Sequence, residues 1–315
     1  MSGVSIVCFA ASYTVALGLE LTRLLFRSGI RGAVMLGFAG AGLLAHTLYL
    51  FYRIAECYRS AGAAAAPLSS KQEWCILAAW LLAIVYLYLT CYHPRVPFGL
   101  FILPLVLGLI AAAAFLADPQ PSPREPASKV WGLIHGVSIM LATVAVLVGF
   151  AAGLMYLGQD RRLKAKAPPP SGLRLPSLER LRQINGRSLV IALLMMGVGI
   201  VSGIVLMLYN RGRTDRDLPW TDPVVVSTLL MFGWLLASSG VGVVYRPVRE
   251  GRKVAYLTIV SFIFLVIALW SVLSNGTRHL GRPDPGGPVS QARDIAPIGW
   301  HAVTRRSRGS AIGWH

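Results

Sequence analysis

Charged residues are scarce in this chain, and their scarcity excludes most soluble folds. They make up 14% of the 315 residues, whereas 55% are hydrophobic, and the mean hydropathy is +0.61. A water-soluble domain could not bury that much apolar surface in a core. The composition therefore predicts an all-α integral membrane protein.

Motifs for catalysis and metal binding are also missing. The four cysteines form neither a C-x-x-C pair nor the C-x-x-C-H that attaches c-type haem, so the chain is not itself a cytochrome c. A Cys57–Cys75 disulfide requires both residues on an oxidising side, and the alternative is that all four cysteines pack in apolar surroundings. No Ser/His/Asp set, nucleotide loop or H-E-x-x-H is present, so we expect no catalytic residue.

Acidic residues are nearly absent from the apolar stretches, with Glu20 as the exception in the first. Proton-coupled transporters carry more carboxylates at membrane depth than this chain does. Solute transporters show inverted repeats with broken helices, and the sequence shows no such repeats. The formal charge of +17 is spread over short breaks between apolar runs, which does not predict a nucleic-acid surface. Transport and nucleic-acid binding are therefore disfavoured.

Apolar stretches long enough to cross a bilayer recur along the chain. They lie near 4–26, 32–52, 75–92, 97–117, 131–157, 189–209, 224–245 and 254–274. We interpret the first as a retained span and not a signal peptide, because it lacks a basic leader and a cleavage site. The pattern therefore predicts about eight transmembrane helices in all, which places both termini on the same side of the membrane.

Basic residues in alternate connections predict the orientation, because Lys and Arg are retained in the cytoplasm. The richer set comprises Arg23, Arg27, Arg31, Arg95, Arg161, Arg162, Lys164, Lys166, Arg174, Arg180, Arg182, Arg187, Arg246, Arg249, Arg252 and Lys253. We assign these connections to the cytoplasm and both termini to the outside. Residues 159–187 are predicted to be the long cytoplasmic connection. Residues 1–280 form the transmembrane domain, and residues 281–315 a disordered outer tail.

Three of the six histidines fall toward the predicted outer face: His46, His135 just after Trp131, and His279 after the last span. A neutral imidazole is a good axial ligand for haem iron, and two of them on one side can clamp one haem. The alternative is that they are interfacial residues bonded to nearby backbone.

The connection before the seventh span ends in Leu-Pro-Trp-Thr-Asp-Pro, which contains Trp220 and Asp222. Trp220 can stack on a porphyrin or belong to an interfacial aromatic belt, and Asp222 can order the loop or cap the next helix.

Several segments together resemble the cytochrome c assembly membrane proteins, the CcsA and HemX-like group that handles haem. These segments are W-G-L-I-H-G-V at 131–137, G-L-M-Y-L-G-Q-D-R-R-L-K at 153–164, 178–181, 185–188, W-T-D-P at 220–223, 251–257 and R-H-L at 278–280. The resemblance covers residues 46–279 and identifies His135 and His279 as the expected outer axial ligands.

The same resemblance implies a bacterial inner (plasma) membrane protein that transiently holds or presents haem for c-type cytochrome biogenesis. Trp220, Asp222 and Trp131 would lie against the haem, with apocytochrome c or a second assembly protein as partner. The family's tryptophan-rich loop is reduced here to Trp220 and Asp222, and tyrosine replaces an inner histidine near 245. His46 resembles a histidine of the shorter HemX-like members, whose regulatory or scaffold role in haem biosynthesis is the alternative.

Overall fold

Helices make up all the regular secondary structure of the described residues. The computed structural model describes residues 5–22, 29–61, 70–94, 96–118, 129–166, 175–210, 221–244 and 251–273. The helices are α1 (Ile6–Thr22), α2 (Gly29–Ala61), α3 (Lys71–Tyr92), α4 (Gly99–Phe115), α5 (Lys129–Lys164), α6 (Leu178–Asn210), α7 (Pro223–Val244) and α8 (Gly251–Leu273). The predicted all-α membrane bundle is confirmed.

Six of these helices are long and apolar enough to cross a membrane, and α1 and α4 are shorter apolar helices. Each of the two has 17 residues, a length of about 26 Å at 1.5 Å per residue. That length is at the lower limit of about 17 residues for a transmembrane helix. Residues 1–4 and 274–315, which contain both termini and the predicted tail, lie outside the described residues.

The connection between α5 and α6 is shorter than the sequence pattern predicted. Residues 159–164 continue α5 and residues 178–187 belong to α6. Basic residues in the last turn of α5 and Glu179 in the first turn of α6 complement the helix dipoles, which favours these extensions. The two helices have 36 and 33 residues, or about 54 and 50 Å, and so exceed a hydrocarbon core of about 30 Å.

Glycines on α5 allow close packing with its neighbours. A Cβ atom at Gly149 would lie 3.1 Å from Cβ of Ser188 on α6, and one at Gly153 would lie 2.8 Å from Oγ1 of Thr258 on α8. Small residues at helix contacts are typical of membrane bundles, where backbones must approach closely to gain dispersion energy. Helix α5 therefore packs tightly against both α6 and α8.

One cluster of buried side chains contains Leu50 of α2, Cys75 of α3, Ala117 after α4 and Leu273 of α8. His135 of α5 contacts Gly199 of α6, and Val224 of α7 lines the same cavity as Leu273. Helices α3, α5 and α7 therefore begin at the end of the bundle at which α2, α4, α6 and α8 finish. We call this the outer end, following the orientation predicted from loop charge. At the opposite end Arg252 of α8 donates to Asp160 of α5 across 2.6 Å, and Lys164 lies 3.7 Å from the same carboxylate. This ion pair joins two of the segments that carry the family resemblance.

Candidate functional site

A cavity of about 280 Å³ lies among helices α3 to α8. On α3 it is lined by Lys71, Trp74, Cys75 and Ala78, which are spaced along one helical face. On α5 the lining residues include Gly132, His135 and Gly136. Since these residues lie near the starts of α3 and α5, the cavity extends to the outer end of the bundle.

The imidazole of His135 is held in one orientation by α6. Its Nδ1 lies 2.7 Å from the backbone oxygen of Gly199, which also accepts from Oγ of Ser202 across 2.9 Å. A carbonyl oxygen can only accept, so Nδ1 carries a proton, and in the neutral imidazole Nε2 then carries the lone pair. Histidine ligands of metals are commonly oriented by such a bond from the second ring nitrogen.

Gly203 makes room for this imidazole. A Cβ atom at position 203 would lie 3.0 Å from both Cε1 and Nδ1 of His135, closer than an ordinary carbon contact of about 3.5–4.0 Å. Glycine at this position thus lets the ring lie against the backbone of α6. The predicted ligand His135 therefore lines the cavity in a tautomer that suits iron.

Trp74 is a lining residue that the sequence analysis did not select. A Cβ atom at Gly136 would lie 2.4 Å from its Cζ2 atom, so the indole lies directly against α5. Trp131, which was selected, is 39% exposed and is not among the described residues that line the cavity. Trp74 shares one face of α3 with Lys71, Cys75 and Ala78, but only the structure shows that this face lines the cavity.

Asp222 is buried and caps helix α7. Its Oδ1 accepts from the backbone N–H of Val224 across 2.9 Å, and its carbonyl accepts from Val226 across 3.0 Å. Since Val224 lines the cavity, the cap holds one part of the cavity wall. Of the two roles considered for Asp222, the structure shows helix capping.

His46 lies apart from this cavity, between α1 and α2. Its ring stacks on Phe9 with centroids 4.1 Å apart, and Nδ1 lies 3.4 Å from the hydroxyl of Tyr13. The side chain is fully buried. Nε2 makes no hydrogen bond of ordinary geometry within the described residues, and the backbone of Ile76 lies close to the ring. The structure therefore does not bring His46 and His135 together.

Trp220 and His279 lie outside the described residues, but both are close in sequence to cavity residues. Val224 follows Trp220 by four positions, and Leu273 precedes His279 by six. A chain of six residues spans at most about 20 Å. None of the four cysteines forms a disulfide. No group of three or more His, Cys, Asp or Glu side chains gathers among the residues that the structure describes.

Comparison with known proteins assigns the family. The model of the cytochrome C assembly protein family matches residues 68–279, which is 212 of 315 residues. The chain belongs to the cytochrome c assembly protein family. It is thus a multi-pass membrane protein of the cytochrome c biogenesis type, and the resemblance found from the sequence motifs is confirmed.

Relatives of this cytochrome c assembly protein include an uncharacterized 28.8 kDa protein in the nifR3-like 5′ region of Azospirillum brasilense. It is 29% identical over 240 residues, covering 75% of this chain and 81% of the relative. Cytochrome c biogenesis protein CcsA of Synechococcus sp. (strain CC9902) is 27% identical over 226 residues, 64% of this chain and 72% of the relative. CcsA of Synechococcus sp. (strain CC9605) is 25% identical over the same length. No solved structure matches the chain.

Proposed function

We propose that this protein holds haem in the α3–α8 cavity at the outer membrane face and so supports c-type cytochrome biogenesis. The observation that carries the proposal is His135, which lines the cavity while its Nδ1 donates to Gly199. That bond places the lone pair on Nε2, the atom through which an axial ligand binds iron.

The lining of the cavity suits the body of a porphyrin. The lining is mainly aliphatic, and it also includes the indole of Trp74 and the side chains of Met140, Met196 and Met207. Methionine adapts its shape to an irregular ligand, and an indole can stack on a macrocycle. The volume of about 280 Å³ is at the lower limit of ligand sites. We therefore expect part of the macrocycle to lie at the outer rim.

A second axial ligand is expected at that rim. The family resemblance assigns it to His279, and the six residues from Leu273 limit its distance from the cavity wall to about 20 Å. The resemblance likewise assigns Trp220 to the macrocycle, with Asp222 capping the helix that follows. The proposed metal ligands are thus His135 and His279.

The role of the chain is to hold and orient the haem, which when bound supplies the iron porphyrin that is attached to a cytochrome c. The chain has no C-x-x-C-H of its own, so a partner must supply that substrate. We propose apocytochrome c or a second assembly membrane protein as the partner, in a bacterial inner membrane. Any lyase chemistry would then depend on positioning and not on acid–base catalysis.

An optical spectrum of the detergent-purified protein tests this proposal. We expect a Soret band that is lost in the double variant His135→Ala, His279→Ala. The matched control is His93→Ala, because His93 lies near the opposite end of the bundle and accepts from Arg180. An unchanged Soret band in the double variant would refute the assigned ligands.

A regulatory or scaffold protein of haem biosynthesis is the second candidate. One observation favours it: Trp220 is the only tryptophan between 210 and 223, so the tryptophan-rich loop of the family is reduced. Absence of a Soret band from the wild-type protein, together with co-purification of a haem-synthesis enzyme, would support this candidate.

A further inference from the structure

The cavity has one charged lining residue among those that the structure describes. Lys71 lies at the first position of α3, whereas the other lining residues, apart from His135, are apolar or uncharged. The same face of α3 continues inward through Trp74 and Cys75 to Ala78, about 10 Å farther along the helix axis. The cavity wall is therefore charged at its outer end and apolar below it.

The acidic side chain nearest in sequence does not neutralise Lys71. Glu73 forms a capping box with Ser70, whose Oγ accepts from the Glu73 N–H across 3.1 Å. The Glu73 carboxylate also lies 3.2 Å from the guanidinium of Arg53 on α2. Among the ion pairs of the described residues none includes Lys71. Within the part of the chain that the structure describes, its ammonium is therefore not held in an ion pair.

The Lys71 ammonium adds to the positive end of the α3 dipole, which Glu73 in the first turn opposes. A bound anion would be stabilised mainly by the ammonium, because the backbone N–H groups of residues 72–74 already have acceptors. The flexible stem of lysine can follow apolar surface while its ammonium lies at the rim.

From this polarity we infer that Lys71 is the anion-binding residue of the cavity and takes a carboxylate of a ligand whose apolar body lies in the α3–α8 cavity. The inference rests on the proposed function, in which the carboxylate is a haem propionate. A fatty acid offers the same chemistry, a carboxylate on an apolar body. Binding through Lys71 would direct the carboxylate outward and the apolar body toward His135.

Metal-free porphyrin tests this inference separately from iron ligation. We would titrate the purified protein with protoporphyrin IX and with its dimethyl ester and follow porphyrin fluorescence. The wild type should prefer the diacid, and Lys71→Gln should weaken diacid binding about tenfold, since a charge-assisted hydrogen bond is lost. Ester binding should be unchanged, and Lys71→Arg should retain the preference.

Arg59→Gln is the matched control. It removes one positive charge at the same end of the bundle from a residue that pairs with Glu56 and does not line the cavity. It should leave the preference intact. Persistence of the diacid preference in Lys71→Gln, or its loss in Arg59→Gln to the same extent, would overturn the inference.

A second pair of ligands separates this inference from the haem proposal. The binding affinities of spin-labelled stearic acid and of its methyl ester would be measured for the wild type and the same variants. If the protein prefers the acid in the stearic pair but not in the porphyrin pair, and Lys71→Gln removes that preference, the anion site is supported and haem is excluded as its ligand. Acid preference in neither pair would overturn the anion site itself.

Discussion

Replacing Gly203 by alanine should disturb the proposed haem site without touching a ligand. The new Cβ would lie 3.0 Å from Cε1 and Nδ1 of His135, about 0.5–1 Å inside an ordinary contact. The ring must therefore shift by a few tenths of an ångström, which would lengthen the 2.7 Å bond to Gly199 toward about 3.2 Å, the usual limit of such a bond. The imidazole would then be held less firmly in its orientation.

The expected magnitude follows from two effects. Overpacking by one methyl group lowers the free energy of unfolding by about 1–3 kcal/mol. Loss of the hydrogen bond that orients a metal-binding histidine lowers metal affinity by about 10–100-fold. Because the bond is weakened and not removed, we expect Gly203→Ala to bind haem up to about tenfold more weakly, which a haem titration followed at the Soret band would measure.

Gly197→Ala is the control for this prediction. It makes the same substitution on α6, but its Cβ would lie 3.6 Å from Cε2 of Phe232, an ordinary contact. Haem affinity should therefore remain as in the wild type. The reasoning fails if Gly203→Ala binds haem with wild-type affinity and spectrum while His135→Ala does not.

Two further predictions concern the cap of α7 and the orientation of the bundle. Asp222→Ala removes the acceptor for the Val224 N–H and should lower the free energy of unfolding by about 1 kcal/mol, measured as a lower thermal midpoint. Asp222→Asn keeps an acceptor and should retain most of the stability. Equal midpoints for both variants would contradict the capping role. In intact cells a membrane-impermeant thiol reagent should label Ser122→Cys but not Arg162→Cys in a background without the native cysteines, and the reverse pattern would invert the predicted orientation.

The candidate site was predictable in part. His135 could be selected because an imidazole in an apolar span is costly and therefore informative. Asp222 was recognised as a possible cap because it lies immediately before the seventh apolar span. Trp74 was missed because the first turn of α3 is more polar than the rest of that helix, and tryptophan near a membrane interface is common. Orientation of a side chain around its helix was not evident from hydropathy.

The amino-acid sequence alone determined a membrane bundle of α-helices, because repeated apolar stretches of this length satisfy their backbone hydrogen bonds in lipid only as helices. The tertiary structure decided which residues meet. It placed Trp74 against Gly136, joined His135 to Gly199, and buried His46 against Phe9 and away from the cavity. Hydropathy reports that a helix crosses the membrane, whereas its rotation and its neighbours depend on how side chains pack against the other helices.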